Sequence, residues 1–117
     1  MKFSERNIRV YLQDILFAIE RIGMYTVKGR EDFLSNGLVQ DGVIRQFSVI
    51  GEAASRLPTA LRAKNAKIPW KQIIGMRNII VHDYSDIDLP TIWGSVEQGL
   101  PPLRKTVEAM LKDIERI

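Results

Sequence analysis

The run Ile73-Ile-Gly-Met-Arg-Asn-Ile-Ile-Val-His-Asp-Tyr-Ser85 places Arg77, Asn78, His82 and Tyr84 within eight residues. Arg carries a permanent charge on a fixed fork of donors that matches the oxygens of a phosphate. His titrates near neutrality and can take a proton from a hydroxyl. Together they suit metal-independent cleavage of RNA, in which a base activates the ribose 2′-hydroxyl, the oxygen attacks the adjacent phosphate, and Arg stabilises the developing charge. The expected product is a 2′,3′-cyclic phosphate. A lone His at a helix end is equally at home as a cap or a satisfied polar group, so the pair alone fixes no activity.

Supporting candidates surround the pair. Asn78 can orient His82 or donate to phosphate, and Glu52 can reach Arg77 from the preceding helix; both types also suit solvated helix faces. Asp83 stands beside His82, with Asp86 and Asp88 close behind. Three carboxylates so close could hold a divalent ion, yet acidic residues near a helix start also serve as caps and dipole partners, and no metal site is read here.

On a helix that advances about 100° per residue, Arg77 and Tyr84 lie almost above one another, whereas Arg77 and His82 are about 140° apart. One straight helix does not focus Arg and His on one atom. Either the helix frays before His82, or two copies of the segment meet across a two-fold axis, and the dimer is the preferred arrangement.

The elements that must position these residues follow from apolar spacing. Ser4 can cap a first helix over Glu5 to Ile22, with Ile8, Tyr11, Leu12, Ile15, Ile19 and Ile22 at helical steps and Gly23 as its expected stop. Residues 29–37 read as a connecting helical turn closed by Asn-Gly. Val39, Val43, Phe47, Ile50, Ala54 and Leu57 define a second long helix from about Leu38 to Leu57, ended by Pro58. A short turn over Ala60 to Lys64 leads to Pro69, placed for the first turn of the helix that carries Ile73, Met76 and Ile80 inward. The last helix starts near Leu89, with Pro101-Pro102 expected to kink its middle. Nothing alternates with a period of two. The expectation is an all-α, up-down bundle of four main helices plus short turns, one domain over residues 1–117, as a homodimer.

The 17 Lys plus Arg, 14 Asp plus Glu and net charge of +3 hide an uneven distribution. Ala53 to Val81 contains Arg56, Arg62, Lys64, Lys67, Lys71 and Arg77 and no acidic residue, so the rest of the chain sums to −3. Arg56, Arg62, Lys64, Lys67 and Lys71 are therefore the candidate track for an RNA backbone, although a solvated face explains the same charges. With no Cys and one His, disulfides, thiolate metal sites and multi-His centres are excluded, and the usage fits a reducing cytoplasm. Residues 1–10 carry charges where a signal peptide needs an apolar core, and no apolar stretch approaches a membrane span. Trp70 and Trp93 suit the core or an interface better than base stacking.

Arg77-x4-His82-x-Tyr84 resembles the Arg-x4-His-x-Tyr signature of HepT-like toxins, a branch of the HEPN superfamily of all-α ribonucleases. The context is similar too: Ile50-Gly-Glu-Ala53, Leu57-Pro58, Ile68-Pro-Trp70, Gly75-Met-Arg-Asn78, Trp93 and Leu100-Pro101. The resemblance spans nearly the whole chain except residues 24–37. It implies the toxin of a type VII toxin–antitoxin pair, a homodimer whose two motifs form a composite cleft with Arg77 and His82 as catalytic residues. It also implies a partner, a minimal nucleotidyltransferase antitoxin that moves AMP from ATP onto Tyr84 and so silences the toxin. RNA is the implied substrate, and no cofactor is expected in the chain itself. The alternatives are a non-catalytic HEPN accessory subunit that binds nucleotide or RNA for such a transferase, and a plain dimerisation bundle.

Overall fold

The computed structural model describes residues 5–82, 85 and 87–115. All regular structure among them is helical: α1 (Glu5–Tyr25), α2 (Arg30–Ser35), α3 (Gly37–Arg56), α4 (Thr59–Lys64), α5 (Trp70–His82), α6 (Leu89–Gly94), a π-helical turn (Ser95–Gly99) and α7 (Leu100–Glu115). The expected bundle therefore forms, with α1, α3, α5 and α7 as its main helices. α3 packs against both α1 and α5, and α1 packs against α7.

α1 turns Leu12, Ile15 and Ile22 fully inward, which is the stripe that its three- and four-residue spacing dictates. It does not stop at Gly23. A glycine costs a helix interior only about 1 kcal/mol, and beyond it the Tyr25 ring lies against Gly42 of α3. The end comes later, where the Thr26 backbone N–H and hydroxyl both donate to the Ile22 carbonyl (3.0 and 2.7 Å). The chain then turns at Gly29, whose φ of 89° suits a residue without a Cβ.

The 29–37 connector is more than a link. Phe33 of α2 is fully buried and lies 5.6 Å from the Trp93 ring of α6, which fixes Trp93 in the core. Asn36 caps α3 rather than closing a turn, because its Oδ1 accepts from the backbone N–H groups of Leu38 and Val39 (3.1 and 3.3 Å). α5 begins where the Pro69 carbonyl accepts from the N–H of Ile73 (3.1 Å), and the Trp70 indole anchors that end by donating to the Asn65 carbonyl (3.0 Å).

The irregularity that goes with Pro101-Pro102 is a π-helical turn just upstream of them. A proline ring clashes with the carbonyl four residues back, so the backbone widens over Ser95–Gly99, where the Leu100 N–H reaches the Ser95 carbonyl. Both prolines then occupy the first turn of α7, where their missing N–H groups leave no helical bond unmade.

α3 and α5 meet closely at Gly51, which is buried. A Cβ built there would stand 2.6 Å from the Cβ of Arg77 and 3.1 Å from the Ile73 carbonyl. Neither atom belongs to a flexible chain end, so any larger residue must separate the helices. Gly51→Ala is expected to destabilise the fold by about 1–3 kcal/mol and lower Tm by roughly 4 °C or more. Gly23→Ala, which meets nothing within 4 Å, should raise stability by about 0.5–1 kcal/mol. Thermal melts of the two variants beside the parent check both signs, and a Gly51→Ala protein melting at or above the parent contradicts the close crossing.

Candidate functional site

Four α3 positions, Arg45, Val49, Glu52 and Arg56, fall at steps of four, three and four residues and so share one face. That face forms the floor of an open cleft of about 370 Å³, closed on one side by Tyr11 and Asp14 of α1 and on the other by Arg77 of α5. The contact at Gly51 is what brings Arg77 here, because the next residue along α3 is Glu52.

Glu52 splits its carboxylate between two arginines. Its Oε2 accepts from Arg77 Nε at 2.7 Å, and its Oε1 accepts from Arg56 Nε at 3.2 Å, with Arg56 Nη2 at 3.1 Å. The Glu52 carboxylate first, and then the Tyr11 hydroxyl, accept from the Arg56 guanidinium and raise its pKa above the ordinary arginine value. Arg77 also donates from Nη1 to Asn78 Oδ1 at 3.1 Å. Asn78 thus offers its oxygen to Arg77, and the sequence-based roles of orienting His82 or donating to phosphate are not the contact it makes. The pair expected between Glu52 and Arg77 is formed. Its members are only partly exposed, at 35% and 41% for the side chains, and as an open ion pair it contributes about 0–1 kcal/mol to stability. Its consequence is orientation.

His82 is the last residue of α5 and is exposed, and the residues lining the cleft do not include it. A single chain therefore presents Arg77 and His82 on different faces of one helix, as the helical angle requires. Asp83, Tyr84 and Asp86 lie outside the described residues. Asp88 stands at the N-cap position of α6, where its Oδ2 accepts from the Thr91 hydroxyl at 2.6 Å rather than from a backbone N–H. Among the described residues no three His, Asp or Glu side chains are grouped to hold a metal ion.

The residues of the basic track border more than one recess. Arg56 shares the cleft with Arg77, whereas Arg62 and Lys71 flank a shallow recess beside Trp70 and Ile74. Lys67 borders a separate apolar groove of about 450 Å³ between α5 and the π-helical turn. Lys64 is exposed in the last turn of α4. Trp70 and Trp93 are both core residues, 6% and 7% exposed. Tyr11, Asp14 and Arg45 of the cleft were missed in sequence. Tyr11 reads as one more apolar member of the α1 stripe, and Arg45 lies outside the run of unopposed basic residues. The spacing of Arg45 to Glu52 and Arg56 was the available signal for that arginine.

A family model described as ribonuclease HepT-like matches residues 15–110. Relatives include a Methanocaldococcus jannaschii protein named as both a gamma-glutamylcyclotransferase and a candidate RNase, 35% identical over 112 residues that cover 95% of this chain and 50% of that one. The chain thus spans about half of that relative's length. A second protein of the same organism, named as a candidate RNase, is 35% identical over 112 residues, 95% of this chain and 93% of its own. A probable ribonuclease HepT of Thermococcus cleftensis is 34% identical over 109 residues, 92% of this chain and 99% of its own. No solved structure matches the chain. No described helix is long and apolar enough to cross a membrane. On the extent of the family match and of these identities, the chain belongs to the HepT-like family of the HEPN superfamily.

Proposed function

We propose that the protein is a metal-independent endoribonuclease acting in the cytoplasm as the toxin of a type VII HEPN/MNT toxin–antitoxin pair. The observation that carries this reading is the Arg77 guanidinium, held at 2.7 Å by Glu52 in an open cleft, with His82 five residues further on at the exposed end of the same helix. Membership of a family described as ribonucleases supports it.

In this reading two copies pair so that Arg77 and His82 of both subunits line one cleft. A neutral His82 takes the proton of a ribose 2′-hydroxyl, the 2′-oxygen bonds to the neighbouring phosphorus, and the bond from phosphorus to the 5′-oxygen breaks. The leaving 5′-oxygen takes a proton from the imidazolium of the other subunit's motif. Arg77 balances the charge that builds on the non-bridging oxygens. Products are a 2′,3′-cyclic phosphate and a 5′-hydroxyl. Glu52 keeps Arg77 oriented, and Asn78 fixes the far side of its fork. The antitoxin is a small nucleotidyltransferase, which uses ATP and Mg²⁺ to attach AMP to Tyr84. The added phosphate puts negative charge and bulk two residues from His82, where it competes with RNA phosphate for the arginine fork.

With EDTA present, purified protein is expected to cut single-stranded RNA, His82→Ala to lose about 10²–10⁴-fold in rate, and Arg77→Ala about 10²–10³-fold. Because the mechanism draws one His82 from each subunit, a heterodimer of parent and His82→Ala should be nearly as slow as the His82→Ala homodimer. No cleavage by the parent, or variants as fast as the parent, defeats the catalytic reading, and a heterodimer that keeps half the parent rate or more defeats the shared cleft. For the regulation, the protein incubated with ATP, Mg²⁺ and a demonstrably active neighbouring transferase should gain one AMP on Tyr84 by peptide mass spectrometry and lose RNase activity. An adduct elsewhere, or none, overturns it.

A further inference from the structure

We infer that the cleft between α1 and α3 is a nucleotide subsite, in which Arg45 and Arg56 hold the phosphate of a residue flanking the cleaved bond and Tyr11 contacts its base. The inference rests on the ribonuclease reading above and assigns residues that the Arg-x4-His-x-Tyr motif does not contain. Three observations carry it.

The first is charge. The cleft holds three guanidiniums, Arg45, Arg56 and Arg77, against two carboxylates, Asp14 and Glu52. Glu52 engages two of the arginines, and Arg45 forms no ion pair among the described residues. An arginine without a carboxylate in a concave site next to Arg77 is matched to an external anion, and phosphate fits its fork. Arg56 engages Glu52 through Nε and Nη2, and a guanidinium has five N–H donors, so its contacts with Glu52 and Tyr11 do not use them all.

The second is the ring. Tyr11 is half-buried, lines the cleft and contributes the aromatic surface there. An aromatic face beside guanidiniums is the pairing that unstacked bases use, because every base has a π face and every linkage a phosphate. An acidic peptide would use the arginines and leave the ring idle. Asp14, at the same rim, can accept from a base amino group or a ribose hydroxyl.

The third is size and position. About 370 Å³ falls in the range of small-ligand sites, and the open mouth lets a chain enter and leave. The Arg77 side chain is part of the same wall, so a nucleotide here would be continuous with the phosphate to be cut. The base contact makes the site selective for unpaired RNA, since a duplex hides its base faces.

The test uses the full chain and a short labelled RNA with 2′-O-methyl groups at every position, which binds without being cut, alongside its duplex form. Fluorescence anisotropy across a salt series should show Arg45→Ala weakened by roughly tenfold with the salt slope reduced by about one. Tyr11→Leu should weaken binding by roughly 5- to 150-fold with the slope unchanged, while Tyr11→Phe, which keeps the ring, stays near the parent. The parent should prefer the single strand to the duplex. If Arg45→Ala and Tyr11→Leu, both folded by circular dichroism, bind as the parent does, or if duplex and single strand bind alike, the subsite is overturned. If Tyr11→Leu fails to fold, Arg45→Ala and the comparison of strands decide. A parent that shows these binding effects but cuts no unmodified RNA keeps the subsite and loses the catalytic reading; a parent that cuts RNA with no change in the variants loses the subsite alone.

Discussion

Everything at the cleft depends on how closely two helices approach at one glycine. A Cβ at Gly51 would stand 2.6 Å from the Cβ of Arg77, so α3 and α5 pack with backbone nearly against side-chain base. At that separation a long side chain flanking the crossing can reach across it, and Glu52 Oε2 meets Arg77 Nε at 2.7 Å. A wider crossing would leave both groups hydrated. The ion pair itself contributes little to stability because both side chains remain partly exposed. Packing sets the geometry and the ion pair reads it out. Glu52 then extends the constraint to Arg56, one helical turn further along, so two guanidiniums are fixed by one carboxylate.

The periodic parts of the fold were legible because burial of an apolar stripe is a local rule. Leu12, Ile15 and Ile22 repeat at helical steps and are fully buried, and the same holds for Val43 and Ile50 in α3 and for Val107 in α7. Helix ends were less legible, since they depend on competition between local cost and tertiary gain. Gly23 was expected to end α1, but the packing of the turn it belongs to carries the helix on to Tyr25. Pro101 and Pro102 were expected to bend a helix, and the ladder is altered in the π-helical turn that precedes them, where wider bonding can absorb the clash. A sequence gives the cause of such a break more readily than its location.

The site was legible where its residues share one helix or a motif, and not where helices cross. Arg77 and Glu52 could be paired in advance because they lie on the two successive long helices α3 and α5 and carry opposite charges. Tyr11 could not be joined to Arg56, because that requires knowing which face of α1 lies over which turn of α3. Charge along the chain likewise carried little geometry. Six basic residues without an acidic one look like a single track along the chain, yet Arg56, Lys67 and Lys71 open onto three different recesses. Sequence neighbours in loops and short helices diverge in space, while Arg45, eleven residues before Arg56, faces the same cleft.

These placements bear on why the proposed enzyme needs two copies. Arg77 is committed to the α3 side of α5, by Glu52 on one edge of its fork and Asn78 on another. His82 lies about 140° further round that helix, exposed at its end. Rotating α5 to bring His82 toward Arg77's side would break the packing at Gly51, so one subunit does not readily supply both groups to one phosphate. In the proposed dimer, a two-fold axis beside α5 would resolve this without moving the helix, because it would lay the exposed end of one α5 against the cleft side of its mate. An arrangement of that kind would keep the core intact and still bring the proposed acid, base and guanidinium around a single bond.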